Sequence, residues 1–95
     1  MDLCDAIMRR QIIRFVYDGH ERVVIPEAHG THKTTRNAVL RGYQIRGTSS
    51  SRGVPLWDLF LVQKMQDVEI LEETFRDNPP QYRRGDTHIN IRCEL

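Results

Sequence analysis

The sequence predicts a small, mainly β domain: five short strands behind one N-terminal helix, bent into a barrel and followed by an irregular tail. Three observations carry this. Apolar residues repeat at a period of two through most of the chain, Asp18-Gly19 supplies a hairpin turn between the first two such runs, and 95 residues leave room for a single core. A fold of this size buries roughly 60–65% of its unfolded surface, enough for one modest core of Ile, Val, Leu and Phe.

The helix comes first. Asp2, followed by Leu3, Ala6 and Ile7 and with Asp5 three residues on, reads as a capped helix of about three turns. Asp2 and Asp5 sit at its positive end and Arg9 and Arg10 at its negative end, while Leu3, Ala6, Ile7 and the Arg10 stem pack on a sheet. From Ile12 the period becomes two: Ile13, Phe15 and Tyr17 share one face, and Ile12, Arg14 and Val16 the other. After Asp18-Gly19, residues 22–25 resume the extended pattern as a second strand. Pro26 lacks a ladder donor and is expected to end or bend that pairing, with residues 30–37 as a connection. Residues 38–46 form a third strand. The Gly- and Ser-rich stretch 47–53 is expected to be a mobile loop. Residues 57–62 alternate as a fourth strand, and 68–71 give a short fifth after a turn at Gln66-Asp67.

Five short strands and one helix suit a bent sheet closed into an SH3/Sm-like five-stranded barrel, with the helix laid over one end. Residues 1–76 make that domain. Residues 77–95, with Pro79-Pro80 and Arg83-Arg84-Gly85-Asp86, read as an irregular C-terminal tail whose residues 89–91 are a candidate edge strand.

A net charge of +1 conceals an uneven distribution. Between residues 9 and 52, Arg9, Arg10, Arg14, Arg22, Lys33, Arg36, Arg41, Arg46 and Arg52 face only Asp18, Glu21 and Glu27. Between 57 and 80, Asp58, Asp67, Glu69, Glu72, Glu73 and Asp77 face Lys64 and Arg76. Such asymmetry marks a surface for an anionic partner, or else two solvated faces that attract each other. No run approaches the roughly 18–20 apolar residues that span a bilayer, and no secretory apolar run opens the chain, so no membrane partner and a cytoplasmic location are expected. Cys4 and Cys93 lie too far apart in sequence for a zinc motif or a disulfide scaffold. A bridge closing the chain's ends is disfavoured in a reducing compartment.

Catalytic signatures are missing. No glycine-rich phosphate loop precedes a Lys-Ser or Lys-Thr, neither cysteine has a histidine neighbour, and no serine sits on a strand-to-helix elbow. His29 and His32 fall where Pro26 and Gly30 oppose a helix, and Glu72 and Glu73 would point to opposite faces of a strand. No catalytic residue, metal ligand or cofactor is expected. What remains is a surface of Arg14, Arg41, Arg46 and Lys64 interleaved with Tyr17, Tyr43 and Trp57, residue types that stack bases and take phosphates on small barrels. Trp57, Phe15 and Tyr43 equally suit a core with the arginines as its solvated edges.

The runs Ile12-Ile13-Arg14-Phe15-Val16-Tyr17-Asp18-Gly19, Arg22-Val23-Val24-Ile25-Pro26 and Val39-Leu40-Arg41-Gly42-Tyr43-Gln44 resemble the WYL domain family. Leu56-Trp57-Asp58-Leu59-Phe60-Leu61-Val62-Gln63-Lys64-Met65 and Val68-Glu69-Ile70-Leu71 resemble that family's Phe-Arg-Leu-Asp-Arg-Ile strand and the strand after it. The resemblance covers about residues 6–75. It implies an Sm-like barrel of bacterial and phage transcription regulators that senses nucleic acid or nucleotide-like ligands, here free-standing, without a helix-turn-helix domain. The name-giving triplet falls on Ala38-Val39-Leu40 and keeps only its leucine. Two family arginines fall on Asp58 and Leu61, whereas Arg14, Tyr17 and Lys64 fit. Each lost charge-assisted phosphate contact costs on the order of 1.5–3 kcal/mol.

The expectation is therefore a non-enzymatic sensor module for a single-stranded nucleic acid or nucleotide-like anionic ligand, bound through Arg14, Tyr17, Arg41, Tyr43 and Lys64. The alternative is a protein-interaction module that self-associates through an exposed sheet edge. Phosphate binding weakens with salt and edge pairing does not, which separates the two.

Overall fold

The computed structural model describes residues 2–49 and 53–95. In chain order it has a helix α1 (Leu3–Met8) and strands β1 (Gln11–Tyr17), β2 (His20–His32), β3 (Ala38–Gly47) and β4 (Leu56–Leu61). A single 3-10 turn (Val62–Lys64) leads to β5 (Gln66–Thr74), and β6 (Ile89–Glu94) follows. All pairings are antiparallel. Of the expected loop 47–53, residues 50–52 lie outside the described residues.

The helix begins as expected: the Asp2 side chain accepts from the Asp5 backbone N–H at 3.1 Å, and Leu3, Ala6 and Ile7 are buried. It is shorter than three turns. Arg10 turns left-handed (φ 55°) straight after it, and its guanidinium is committed to the carbonyls of Phe75 and Arg76, the Asn78 side chain and the Phe75 ring. The β1–β2 hairpin turns on Asp18 and Gly19 with positive φ at both, the geometry that matches strand twist.

β2 departs most from expectation. The β1 pairing stops at Val24, just before Pro26 as expected, but the strand itself does not end there: it runs 13 residues and serves three neighbours. One edge pairs with β3 along its length. The other pairs with β1 as far as Val24, and with β6 from Ala28 onward. Pro26 falls in the gap between these two partners, so on that edge its missing N–H removes no ladder bond. Glu27 is the extra residue of a bulge, since Pro26 faces Gly42 while Ala28 faces Arg41. Where β2 meets β6, a side chain at Gly30 would run into the Asn90 carbonyl, so the close approach requires glycine.

The strand path β4-β3-β2-β1-β5, with β6 alongside β2, makes one six-stranded sheet that is not closed. Three expectations change accordingly. The described residues form six strands rather than five, β5 extends over nine residues, and residues 77–95 are not all irregular, because Ile89–Glu94 joins the sheet. Cys4 and Cys93, 89 apart in sequence, are joined in a disulfide with their Cα atoms 5.6 Å apart, tying α1 to β6.

The main core lies where α1 packs on the sheet. Phe15, Tyr17 and Phe60 meet edge to face with centroids 5.0–6.3 Å apart, surrounded by Ile7, Ile13 and Leu40. Smaller clusters form on Ile12, Val23 and Ile25, and on Ala28, Val39 and Ile89. No helix among the described residues is long and apolar enough to cross a membrane.

Candidate functional site

The five residues singled out by sequence do not converge. Tyr17 points into the core with Phe15, its hydroxyl accepting from the Leu61 N–H at 3.0 Å. Arg14, one position out of phase with Phe15, lies on the opposite face, where Glu21 holds it at 2.6 Å and Glu69 at 3.8 Å. Lys64 reaches back to Asp18 at 2.9 Å and lies over the Tyr17 ring, and the Asp18 hydrogen bond raises its ammonium above the usual range. Arg46 is paired with Glu73 at 2.7 Å. These cations are neutralised by carboxylates of the same chain, so they form no free phosphate track. Even Arg22, read as part of the basic half, is buried against the Tyr17 carbonyl and Gln44.

Arg41 and Tyr43 belong elsewhere. They share one face of β3, and the C-terminal segment folds over it. Tyr43 packs against Trp57 of β4 with ring centroids 5.2 Å apart. The Trp57 indole N–H donates to the Pro80 carbonyl at 2.8 Å, which fixes the ring from a second direction. Arg41 Nε donates to Asp86 Oδ2 at 2.7 Å. Between β3, β4 and this segment lies a cavity of about 310 Å³, lined by Glu27, Arg41, Trp57, Gln81, Arg83, Gly85, Asp86 and Thr87.

Glu27 is the unusual member. The bulge turns it inward, it is 2% exposed, and its Oε2 has no hydrogen-bond partner among the described residues. Burial, then the nearby Glu94 and Asp86 carboxylates, push its carboxyl up to about 7, against the opposing pull of Arg41 and Arg84. Burial acts to raise Asp86 as well, but the Arg41 hydrogen bond and the His88 backbone N–H outweigh it and hold that carboxyl low. The two acids therefore differ: one is ionised and paired, the other is buried, unpaired and poised near neutrality. Strongly perturbed groups in clefts concentrate at functional sites.

No family model, curated protein or solved structure matches this chain. The cavity therefore has to be judged on its own chemistry. Of the five expected residues only Arg41 lines it, with Tyr43 backing its aromatic wall. Sequence reasoning missed Glu27 and Asp86. Glu27 left one signal, a carboxylate inside the otherwise apolar run Val23-Val24-Ile25-Pro26-Glu27-Ala28. Asp86 left none, because its partner lies 45 residues away. No group of three or more His, Cys, Asp or Glu placed to hold a metal occurs among the described residues.

Proposed function

We propose that this protein is a non-enzymatic binding module of the WYL-like kind, and that it takes a single nucleotide or nucleotide-like ligand in the cavity under the C-terminal segment. One observation carries the reading: a buried carboxyl with an unsatisfied oxygen lines a cavity that also holds a fixed tryptophan and arginines. Flat rings stack on aromatics, polar ring edges need an acceptor, and guanidinium groups take phosphate. Arg83, exposed at the cavity and without a carboxylate partner among the described residues, supplies the anion contact. A binding role fits better than a catalytic one, since the lining offers no histidine, cysteine or serine and its ionised acid, Asp86, is held by Arg41. A continuous single-strand platform fits less well, because Arg14, Arg46 and Lys64 are already paired.

The helix packed on β1, β2 and β6 of a bulged sheet supports describing the five-strand path as a partial SH3/Sm-like barrel with β6 added to it. The Cys4–Cys93 bridge favours oxidising surroundings over the cytoplasm expected from sequence. Self-association through the open edges of β4 and β5 is the competing role.

The test is a fluorescence titration of Trp57, the single tryptophan, with nucleoside monophosphates and short single-stranded DNA at low and moderate salt, checked by calorimetry. Saturable mononucleotide binding that weakens with salt is expected. Silence in both assays, with a dimer seen by sedimentation, would transfer the assignment to edge pairing.

A further inference from the structure

We propose that Glu27 selects the ligand, and that it takes a ring edge carrying two adjacent N–H donors, the Watson–Crick edge of guanine. This rests on the ligand-binding reading above and names its substrate class. Glu27 sits at the bulge of β2, buried beside the cavity with its Oε2 unsatisfied. A buried acceptor of this kind lacks a donor, and none of the described residues provides one: Arg41, whose charge acts on Glu27, gives its Nε–H to Asp86 at 2.7 Å. The ligand must bring it.

Three donor chemistries are available. A metal ion would need further ligands, and no suitable cluster surrounds Glu27 among the described residues. A compact ammonium would meet Arg41, Arg83 and Arg84 against the carboxylates of Asp86 and Glu94, so the charge around Glu27 gives it no net attraction to offset its lost hydration. Neutral N–H groups on a flat ring meet neither obstacle, and Trp57, braced by Tyr43 and by Pro80, offers that ring a wall. Ionised carboxylate oxygens are both acceptors. Guanine presents N1–H and N2–H side by side and satisfies both. Adenine presents one donor and one ring-nitrogen lone pair, and the lone pair would face a carboxylate oxygen. Protonation reverses the match, because a carboxylic acid offers one donor and one acceptor, as adenine requires. The groups facing this carboxyl are Glu94 of β6, Tyr82, Asp86 and Arg84 of the preceding segment, and Arg41 of β3.

The experiment is calorimetry of the full chain with guanosine, inosine and adenosine monophosphates and with ribose 5-phosphate, in wild type and Glu27→Gln, at about pH 8.5 and about pH 5.5, on either side of a neutral-range titration. At the higher pH the guanosine nucleotide should bind about tenfold or more tightly than the adenosine nucleotide, the scale of one bidentate contact. Inosine, which lacks the 2-amino group, should fall between them. The preference should shrink at the lower pH and disappear in Glu27→Gln. Equal guanosine and adenosine affinities in wild type, or a preference that survives Glu27→Gln, would overturn the inference while leaving the cavity a ligand site. Ribose 5-phosphate binding as well as any nucleotide would also overturn it. Failure of every compound to bind would remove both this inference and the ligand-binding reading.

Discussion

The hairpin end and the cavity end of this sheet treat charge in opposite ways. Around the β1–β2 hairpin, Lys64 with Asp18 and Arg14 with Glu21 form ion pairs in solvent, and the aromatic Tyr17 is in the core. Around the cavity, Arg41 and Asp86 pair with little exposure, and Glu27 stays buried with an oxygen unsatisfied. Water screens the first arrangement, so its pairs are weak. The second has no such screening, so an unmatched group there carries a real cost and marks a place where something else can bind. Basic residues drew attention to the hairpin end by their number. The informative residue was a single misplaced acid at the other end.

Four experiments sharpen or break this contrast. The largest effect should come from the bridge that ties β6 to the helix. Replacing Cys4 and Cys93 by serine opens a loop of nearly the whole chain, and the chain-entropy relation gives a loss of about 4.6 kcal/mol, a fall in Tm on the order of 20–30 °C. Calorimetric melting checks it, and an unchanged Tm would show that β6 is held by pairing alone.

Next comes the pH dependence. The folded Glu27 carboxyl, at about 7, lies above its ordinary 4.5, so the folded state retains its proton more strongly than the unfolded chain. The stabilising contribution is full below pH 4.5 and is lost as pH rises to about 7, costing about 3 kcal/mol in the upper plateau. Urea unfolding across that window should show wild type weakening relative to Glu27→Gln, whose profile is flatter. Parallel profiles would mean that Glu27 is solvated in solution.

Arg41→Ala should then cost about 1–3 kcal/mol, because it strands Asp86, and should move the Glu27 titration upward by removing a favourable cation. A side-chain carboxyl NMR titration reads that shift directly. The smallest effects belong to Arg14→Ala and Lys64→Ala, which should leave both Tm and ligand affinity near wild type. A clear loss of nucleotide binding in either would restore the hairpin end as the ligand site.

The difference between the two regions also explains what could be read from sequence. Asp18-Gly19, the alternation of Ile13, Phe15 and Tyr17, and the Leu3, Ala6, Ile7 stripe are local signals, and each placed its element correctly. Pro26 marked the end of the β1 pairing but not the end of the strand, because a proline inside a strand is tolerated where no partner is present on the donor side. That gap depends on where β1 stops and β6 starts, some 60 residues later in the chain. β6 was faint for the same reason: its short alternation acquires meaning from β2 and from the bridge at Cys93. The cations could be named from sequence, but their partners at Asp18, Glu21, Glu73 and Asp86 could not, since only folding brings them together.

β2 has one further consequence, for the order of assembly. The β1–β2 hairpin closes over a two-residue turn, and β3 follows across a short connection, so these three strands are early partners. β6 pairs with residues 28–32 only after residues 89–94 exist and a loop of more than fifty residues has closed. The cavity is then the last part of the molecule to be built. During refolding, amide protection at Gly30 and Ile91 should lag behind that at Ile13 and Val24 in pulse-labelled hydrogen exchange, and a bound nucleotide should protect the late set alone.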